Sequence, residues 1–170
     1  MNIKNTLITF ILVASFSLQA EEKETEVLFT TKTLTPEAAL MVSQAALKKC
    51  RKSGLQVSVA VVDSGGNVQV VLRDRLAGIS SPDAAILKAK TSVNFRSATT
   101  ALSNAVNSNT EASGIKQLPG ILVLGGGVVI QASGSMVGAI GVAGAPEGKS
   151  DEKCALAGVE AIQELLEFAD

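Results

Sequence analysis

The chain has 170 residues, of which 46% are hydrophobic, 18% charged and only 3% aromatic, and its formal net charge is −1. This composition fits one globular domain with a sizeable core and excludes a disordered chain. The sequence has no histidine, tyrosine or tryptophan, which excludes a Ser-His-Asp triad, an HExxH zinc site and histidine-ligated haem. Its scattered charges and few aromatics exclude a nucleic-acid-binding surface, which needs a basic face.

Residues 1–20 have the pattern of a secretory signal peptide. A lysine precedes an apolar stretch, and Ala20 supplies the small residue before the expected cut. The stretch of about twelve apolar residues is shorter than the roughly 20 that a transmembrane helix needs; an uncleaved membrane anchor is the alternative. We therefore expect an exported protein, periplasmic or secreted, with an acidic N-terminal lead-in over 21–33.

The first part of the mature chain predicts a helix followed by a β-hairpin. Thr35-Pro36-Glu37 opens the helix, with a threonine N-cap and a proline at the first helical position. Gly54 supplies its end. The alternating valines of 57–62 predict a strand, 63–67 a hairpin turn and 68–73 the returning strand.

Two more helices are predicted before the next strands. Ser81-Pro82-Asp83 opens a second helix that ends near Phe95, and a short helix follows over 97–106. Residues 107–117 are polar and are expected to be irregular.

The uncharged stretch between Lys116 and Glu147 resembles a membrane-spanning helix at first sight. Glycines interrupt it every few residues, and each costs a helix about 1 kcal/mol relative to alanine. The short β-rich runs between them favour strands at about 121–124, 128–132 and 136–142. We therefore expect no membrane span in the mature chain.

A last helix is predicted from about 150 to 168, with Asp151 and Glu152 as its capping residues. Strands that are joined by short turns must be antiparallel neighbours. The sequence therefore predicts a single α+β domain over 34–170, with a five-stranded antiparallel sheet and helices packed on it.

Export makes the two cysteines informative, because disulfides persist in oxidising compartments. Each cysteine lies on an apolar stripe at helical spacing, Val42-Ala46-Cys50 and Cys154-Gly158-Ile162. A bridge would close a loop of about a hundred residues and stabilise the fold by up to about 4–5 kcal/mol. From the sequence, a disulfide and two buried free thiols are equal alternatives.

Two loops carry residues suited to a ligand. Gly125-Gly126-Gly127 follows an apolar run as a phosphate loop would, but neither a Lys-Ser or Lys-Thr pair nor a helix follows it. These glycines provide either close backbone packing or bare backbone against a ligand. Arg73-Asp74-Arg75 is either a solvated trio or a clamp for a carboxylate such as a propionate, because arginine pairs carboxylates in a bidentate way.

These motifs in this order resemble the GlcG/HbpS-like family, which was long catalogued as a domain of unknown function and includes haem-binding and haem-degrading members. The similarity covers about 34–162 and lies in 59–67, Arg73-Asp74, Lys88-Ala89-Lys90-Thr91, 125–130, 137–144 and 151–158. The chain departs from the family pattern at Val128-Val129-Ile130, where a proline is usual, and in the register of its arginine loop. The resemblance implies a profilin-like sheet, a homo-oligomer and a small-molecule ligand, with haem as the leading candidate cofactor.

The resemblance also implies a ligand site at the point where the motif residues converge. These residues are Arg73, Asp74, Lys88, Thr91, Gly125, Gly126 and Gly127. Because the chain lacks histidine, a ligand to haem iron would have to be Met41, Met136, a cysteine, a lysine, a threonine or water. No motif for a metal ion held by the protein alone is present.

Two other functions stay open. One is an enzyme that acts on a small organic acid by proton transfer, with Arg73 and Lys88 as anion anchors. Its acid–base groups would be drawn from Asp63, Asp74, Asp151 and Glu152. The other is a non-catalytic interaction protein whose oligomer contacts use the small-residue face of Ala139, Gly141 and Ala143.

Overall fold

The structure is a computed structural model that describes residues 27–169. The predicted signal peptide of 1–20 and the start of the lead-in lie outside the described residues. The chain divides into a unit Met1–Thr30, whose described residues 27–30 form no helix or strand, and a unit Thr31–Asp170 that carries the helices and the sheet.

The second unit alternates helices with antiparallel strands. The helices are α1 (Pro36–Lys52), α2 (Ser81–Phe95), α3 (Thr99–Ser108), α4 (Gly148–Glu160) and α5 (Gln163–Glu167), with a 3₁₀ turn at Glu111–Gln117. The strands are β1 (Ser58–Asp63), β2 (Val68–Arg73), β3 (Gly127–Ala132) and β4 (Ser135–Ala143). None of the helices within residues 27–169 is long and apolar enough to cross a membrane.

The sheet has four strands in the order β2-β1-β4-β3, and every neighbouring pair is antiparallel. The α+β class and the antiparallel sheet are confirmed, but the prediction of a fifth strand at 121–124 is wrong. The amide of Leu122 donates to Thr91 Oγ1 at 2.9 Å, and the amide of Leu124 donates to the carbonyl of Leu122. The segment therefore satisfies its backbone against α2 and within itself instead of in the sheet.

Two helical layers cover the sheet. On one face, α1 and α4 pack on alternate strand residues, among them Val59, Val61 and Ile140, which are fully buried. On the other face, α2 packs on small residues such as Ala60, Ala139 and Ala143. Large aliphatic side chains thus fill one interface, whereas the other is held close by small ones.

Small residues on β4 serve the packing of α2. A Cβ on Gly141 would collide with the backbone carbonyl of Ala85 and approach the amide of Ala89. Ala139 and Ala143 are buried under the same helix. The face that the interaction hypothesis assigned to contacts between copies is therefore covered by α2 of the same chain.

The first helix begins as its capping residues predict. Thr35 accepts a hydrogen bond from the amide of Ala38, and Pro36 opens the helix. Its apolar stripe faces α4, where a Cβ on Gly158 would meet the carbonyl of Val42 and the side chain of Ala46.

A disulfide joins these two helices. Cys50 and Cys154 are both buried, their sulfur atoms lie 2.07 Å apart, and the Cα–Cα distance is 5.5 Å. The sequence left a disulfide and two buried free thiols as equal alternatives, and the structure contains the disulfide.

The end of the chain differs from its prediction. The predicted single helix is two, since α4 begins at Gly148 and α5 follows a short break. Asp151 lies in the first turn of α4, but its carboxylate accepts from the amide of Ala145 and from Lys88 rather than capping α4. The polar stretch of 107–117 is also more regular than expected, because α3 extends to Ser108 and a 3₁₀ turn follows.

Removing the disulfide tests its contribution to the fold. The bridge joins residues 104 apart in the chain, so its loss should lower the free energy of unfolding by about 4–5 kcal/mol. The double variant Cys50→Ala/Cys154→Ala should therefore unfold at a lower urea midpoint than the oxidised wild type. Wild type unfolded under reducing conditions is the control, because it keeps both buried sulfur atoms. Equal midpoints for oxidised and reduced wild type would contradict the prediction.

Candidate functional site

A cavity of about 390 Å³ lies where β4 ends and where α2 and α4 begin. Its walls include Ser81, Ala84 and Lys88 from α2, Ala143 from β4, and Gly148 and Asp151 from α4, together with Leu124, Gly125 and the loop 144–146. This volume falls in the range of about 300–1,000 Å³ that small-molecule sites occupy. Most of its wall is formed by backbone or by very small side chains.

A buried ion pair forms one wall of the cavity. Lys88 Nζ lies 2.8 Å from Asp151 Oδ2, and the two side chains are only 5% and 3% exposed. Lys88 also donates to the carbonyl of Val142 at 2.9 Å, and Asp151 Oδ1 accepts from the amide of Ala145 at 3.0 Å. Each charge is therefore matched by its partner and by a backbone group, as burial requires.

The pair connects the two helical layers. α2 and α4 pack on opposite faces of the sheet, and the gap through which they meet lies beside Gly126. A Cβ at this position would come within 3.0 Å of Lys88 Nζ and 2.7 Å of Asp151 Cβ, and Gly126 has a φ of +119°. A residue with a side chain would therefore be strained in its backbone and would also fill the gap.

Burial raises the pKa of the Asp151 carboxyl above its usual value, while the hydrogen bond from Lys88 acts in the opposite direction. The carboxyl therefore takes up a proton at a higher pH than a solvated aspartate. In the ionised pair the two charges offset each other, so neither presents an uncompensated charge to a ligand in the cavity.

Close packing accounts for the other two glycines of the triplet. A Cβ on Gly127 would collide with the carbonyl of Lys88 and with Thr99, and one on Gly125 would collide with Thr100 Oγ1. Gly125 also lines the cavity.

Thr91 lies on the Lys88 side of α2 but does not line the cavity. It is fully buried, donates to the carbonyl of Leu87 at 2.7 Å and accepts from the amide of Leu122 at 2.9 Å. Its hydroxyl therefore holds the segment before β3 against α2. Lys90, two residues from Lys88, is exposed.

Arg73 lies at the same end of the sheet as the cavity and on the same face. Arg73 on β2 is paired with Ser58 on β1, and Ser58 is paired on its other side with Ala143 on β4. Two strand spacings place the Cα atoms of Arg73 and Ala143 about 10 Å apart. Arg73 is exposed as a residue, and its guanidinium donates to the carbonyl of Ala77.

Asp74 faces the opposite layer. Its carboxylate accepts from Arg51 Nε at 2.8 Å and from Arg51 Nη2 at 3.1 Å. The hydrogen bond from Arg51 lowers the pKa of Asp74 below its usual value, although burial opposes it. Asp74 therefore attaches the end of β2 to α1, and it does not meet Arg73 at one ligand.

The acid–base groups of the enzyme hypothesis are dispersed. Asp63 lies at the far end of β1, where it accepts from the amides of Gly65 and Asn67. Glu152 has a buried carboxylate oxygen without a hydrogen-bond partner. Of the four carboxylates, Asp151 lines the cavity, and it is held by Lys88.

The Lys88–Asp151 pair was missed from the sequence. The sequence did contain a signal that Lys88 is buried. Lys88 lies three residues after Ala85 and next to Ala89, on a helix rich in small residues. Such a face packs closely, so a lysine on it is buried and needs a partner. The partner itself is 63 residues away, and no local pattern identifies it.

A second cavity of about 280 Å³ lies beside the β3–β4 hairpin. It is lined mainly by apolar residues, among them Leu34, Val137, Ile162 and Leu166. None of the predicted ligand residues lies in it.

Comparisons with known proteins agree on one family. A family model described as "Haem degrading protein HbpS-like" matches residues 34–160. A crystal structure of a double mutant of Streptomyces reticuli HbpS is 42% identical, with a TM-score of 0.75 over 79% of this chain and 90% of that one. The crystal structure titled "PduOC:Heme Complex" is 25% identical, with a TM-score of 0.69 over 76% of this chain and 95% of the other.

A relative of unassigned function is also similar. It is an uncharacterised 15.0 kDa protein of Citrobacter freundii from the dhaT-dhaS intergenic region, 32% identical over 114 residues. The alignment covers 66% of this chain and 80% of the relative.

A double-mutant cycle tests the ion pair. Lys88→Met or Asp151→Asn alone should lower the free energy of unfolding by about 3–5 kcal/mol, because each leaves a buried polar group without its partner. The combined variant should be clearly more stable than the sum of the single losses predicts. Urea unfolding of the four proteins measures this coupling, and strictly additive losses would contradict it.

Proposed function

This chain belongs to the HbpS-like family, and we propose that it is an exported protein that binds a haem-type tetrapyrrole in the cavity beside Lys88 and Gly125. Membership of the family rests on the model match over 34–160. The ligand class is supported by the structural relative that was solved as a haem complex. The location is supported by the arrangement of the cavity and Arg73.

The position of Arg73, at the same end and on the same face of the sheet as the cavity, is the observation that carries the proposal. The Cα atoms of Arg73 and Ala143 are about 10 Å apart, so a ligand that lies in the cavity and also pairs with Arg73 extends beyond the residues that line the cavity. A porphyrin ring with its propionates is long enough to do both. This observation favours the tetrapyrrole over the enzyme hypothesis.

The lining suits both parts of such a ligand. Small side chains and bare backbone allow a flat ring to approach closely, and Leu124, which is 55% exposed, offers apolar surface in the lining. Carboxylates can pair with the Arg73 guanidinium. They can also approach the start of α4, where Glu147 makes no side-chain capping hydrogen bond to the first amides.

Export is supported by the disulfide, since bridges of this kind form and persist in oxidising compartments. We propose self-association on the strength of apolar side chains in the loop before α2. Leu76 and Ile79 are 76% and 91% exposed there, and exposed apolar groups of this kind mark contact surfaces when they cluster.

One purified sample tests export and self-association together. When the full chain is expressed in a bacterium, we expect the recovered protein to be periplasmic or secreted and to begin near Glu21. It should have no free thiol and a mass above that of the monomer in light scattering. An uncleaved N-terminus would contradict the predicted signal peptide, and a monomer mass would contradict self-association.

A hemin titration tests the ligand. The mature protein should give a saturable one-to-one shift of the Soret band and a raised melting temperature. Arg73→Ala should weaken binding about tenfold, because it removes a charge-assisted hydrogen bond. Arg75→Ala is the matched control, since it removes the same charge two residues away and should change the affinity little.

A second variant tests the location without disturbing the ion pair. Ser80 lies at the cavity mouth as the N-cap of α2 and makes no side-chain capping bond, so Ser80→Trp should fold and block the cavity. A weak, non-saturating shift in wild type would refute the proposal. Tight binding that neither Ser80→Trp nor Arg73→Ala affects would place the ligand elsewhere.

A further inference from the structure

Helices α1 and α4 run antiparallel in the layer that covers one face of the sheet. Cys50 of α1 is bonded to Cys154 of α4. Gly158, which follows Cys154, packs against Val42 and Ala46, which precede Cys50. The C-terminal end of α1 therefore lies beside the N-terminal end of α4.

The exposed side of α1 changes from acidic to basic along the helix. Its exposed residues include Glu37, Met41, Lys48 and Lys52. Their spacings of four and seven residues place them on one side of the helix. Glu37 lies in the first turn and Lys52 in the last. This order is favourable within α1 itself, because a helix dipole favours anions at the N-terminus and cations at the C-terminus.

The exposed side of α4 has the opposite order. Its exposed residues are Lys149, Lys153, Leu156 and Glu160, which are spaced by three or four residues and so lie on one side of the helix. The two lysines are in the first two turns, and Glu160 is the last residue. The dipole of α4 disfavours cations at its start and an anion at its end. The stability of α4 alone therefore does not account for this order.

The two orders coincide in space because the helices are antiparallel. Together these eight residues form one surface, which we call the outer face: Glu37, Met41, Lys48 and Lys52 of α1 and Lys149, Lys153, Leu156 and Glu160 of α4. One half of the outer face carries its four lysines and the other half its two glutamates. On each helix an apolar residue stands between the two charges, Met41 on α1 and Leu156 on α4, and these are 46% and 50% exposed.

We propose that the outer face is a contact between two copies of this chain that are related by a two-fold axis perpendicular to it. Rotation by 180° about such an axis places the basic half of each copy on the acidic half of the other. It also brings Met41 and Leu156 of both copies to the centre, where four helices pack together. The outer face is thus complementary to itself, whereas a partner of uniform charge would match only half of it.

The composition of the outer face predicts how the contact responds to salt. Two half-exposed apolar side chains bury little area, so the attraction between opposite charges determines the affinity. Salt screens attraction between exposed charges. The dissociation constant of the contact should therefore rise at least about tenfold between about 0.02 M and about 0.5 M sodium chloride.

The test measures the mass of the mature protein by analytical ultracentrifugation at both salt concentrations. A base-to-acid variant, Lys48→Glu/Lys52→Glu/Lys153→Glu, should have about half the wild-type mass at low salt, because both halves of its outer face are then acidic. An acid-to-base variant, Glu37→Lys/Glu160→Lys, should do the same, because both halves are then basic. Melting temperatures establish that each variant is folded.

Mixing the two variants separates a charge contact from a loss of folding. Both acidic halves of one variant then face the basic halves of the other, so the equimolar mixture should regain the wild-type mass. The control variant Lys90→Glu/Lys116→Glu, which changes exposed lysines outside the outer face, should keep the wild-type mass.

This contact is additional to the self-association proposed for Leu76 and Ile79 and does not depend on a ligand. A base-to-acid variant with the wild-type mass at low salt, or a mixture that does not regain that mass, would overturn it. If Leu76→Ser/Ile79→Ser alone lowers the mass while the charge variants do not, the loop contact stands and the outer face is refuted. A monomeric wild type at low salt would refute both.

Discussion

The Lys88–Asp151 ion pair is the contact on which the arrangement of the site depends. It joins α2 and α4, which lie on opposite faces of the sheet, through a gap that Gly126 leaves open. The same lysine holds the carbonyl of Val142, and the same aspartate holds the amide of Ala145. Because burying unpaired charges costs several kcal/mol, these four groups set the relative positions of both helices, the end of β4 and the loop after it.

The two faces of the sheet contribute differently to this arrangement. The face under α1 and α4 is a core of branched aliphatic side chains, closed by the disulfide between Cys50 and Cys154. The face under α2 is lined by small residues, and Gly141 allows the helix backbone to lie directly on β4. The aliphatic face contributes most of the apolar burial, whereas the close approach on the other face brings Lys88 to the end of the strand.

A cavity built in this way has walls of backbone and small side chains but few free polar groups. Its charges are satisfied internally. On the edge strand, the Cα atom of Arg73 lies about 10 Å from that of Ala143, and the Arg73 guanidinium donates to the carbonyl of Ala77. These features underlie the proposal of a ligand that is flat, extended and acidic at one end.

Elements whose signals lie between near neighbours in the sequence could be predicted from it. Thr35 and Pro36 start α1, the alternating valines of β1 form a strand, and the order of the motifs identifies the family. Three features depend on distant residues and are visible only in the folded chain. They are the bridge between cysteines 104 positions apart, the pairing of Lys88 with Asp151, and the position of 121–124 outside the sheet. Capping and alternation act between near neighbours along the chain. A disulfide, a buried charge pair or a fourth or fifth strand depends on which distant groups the packing brings together.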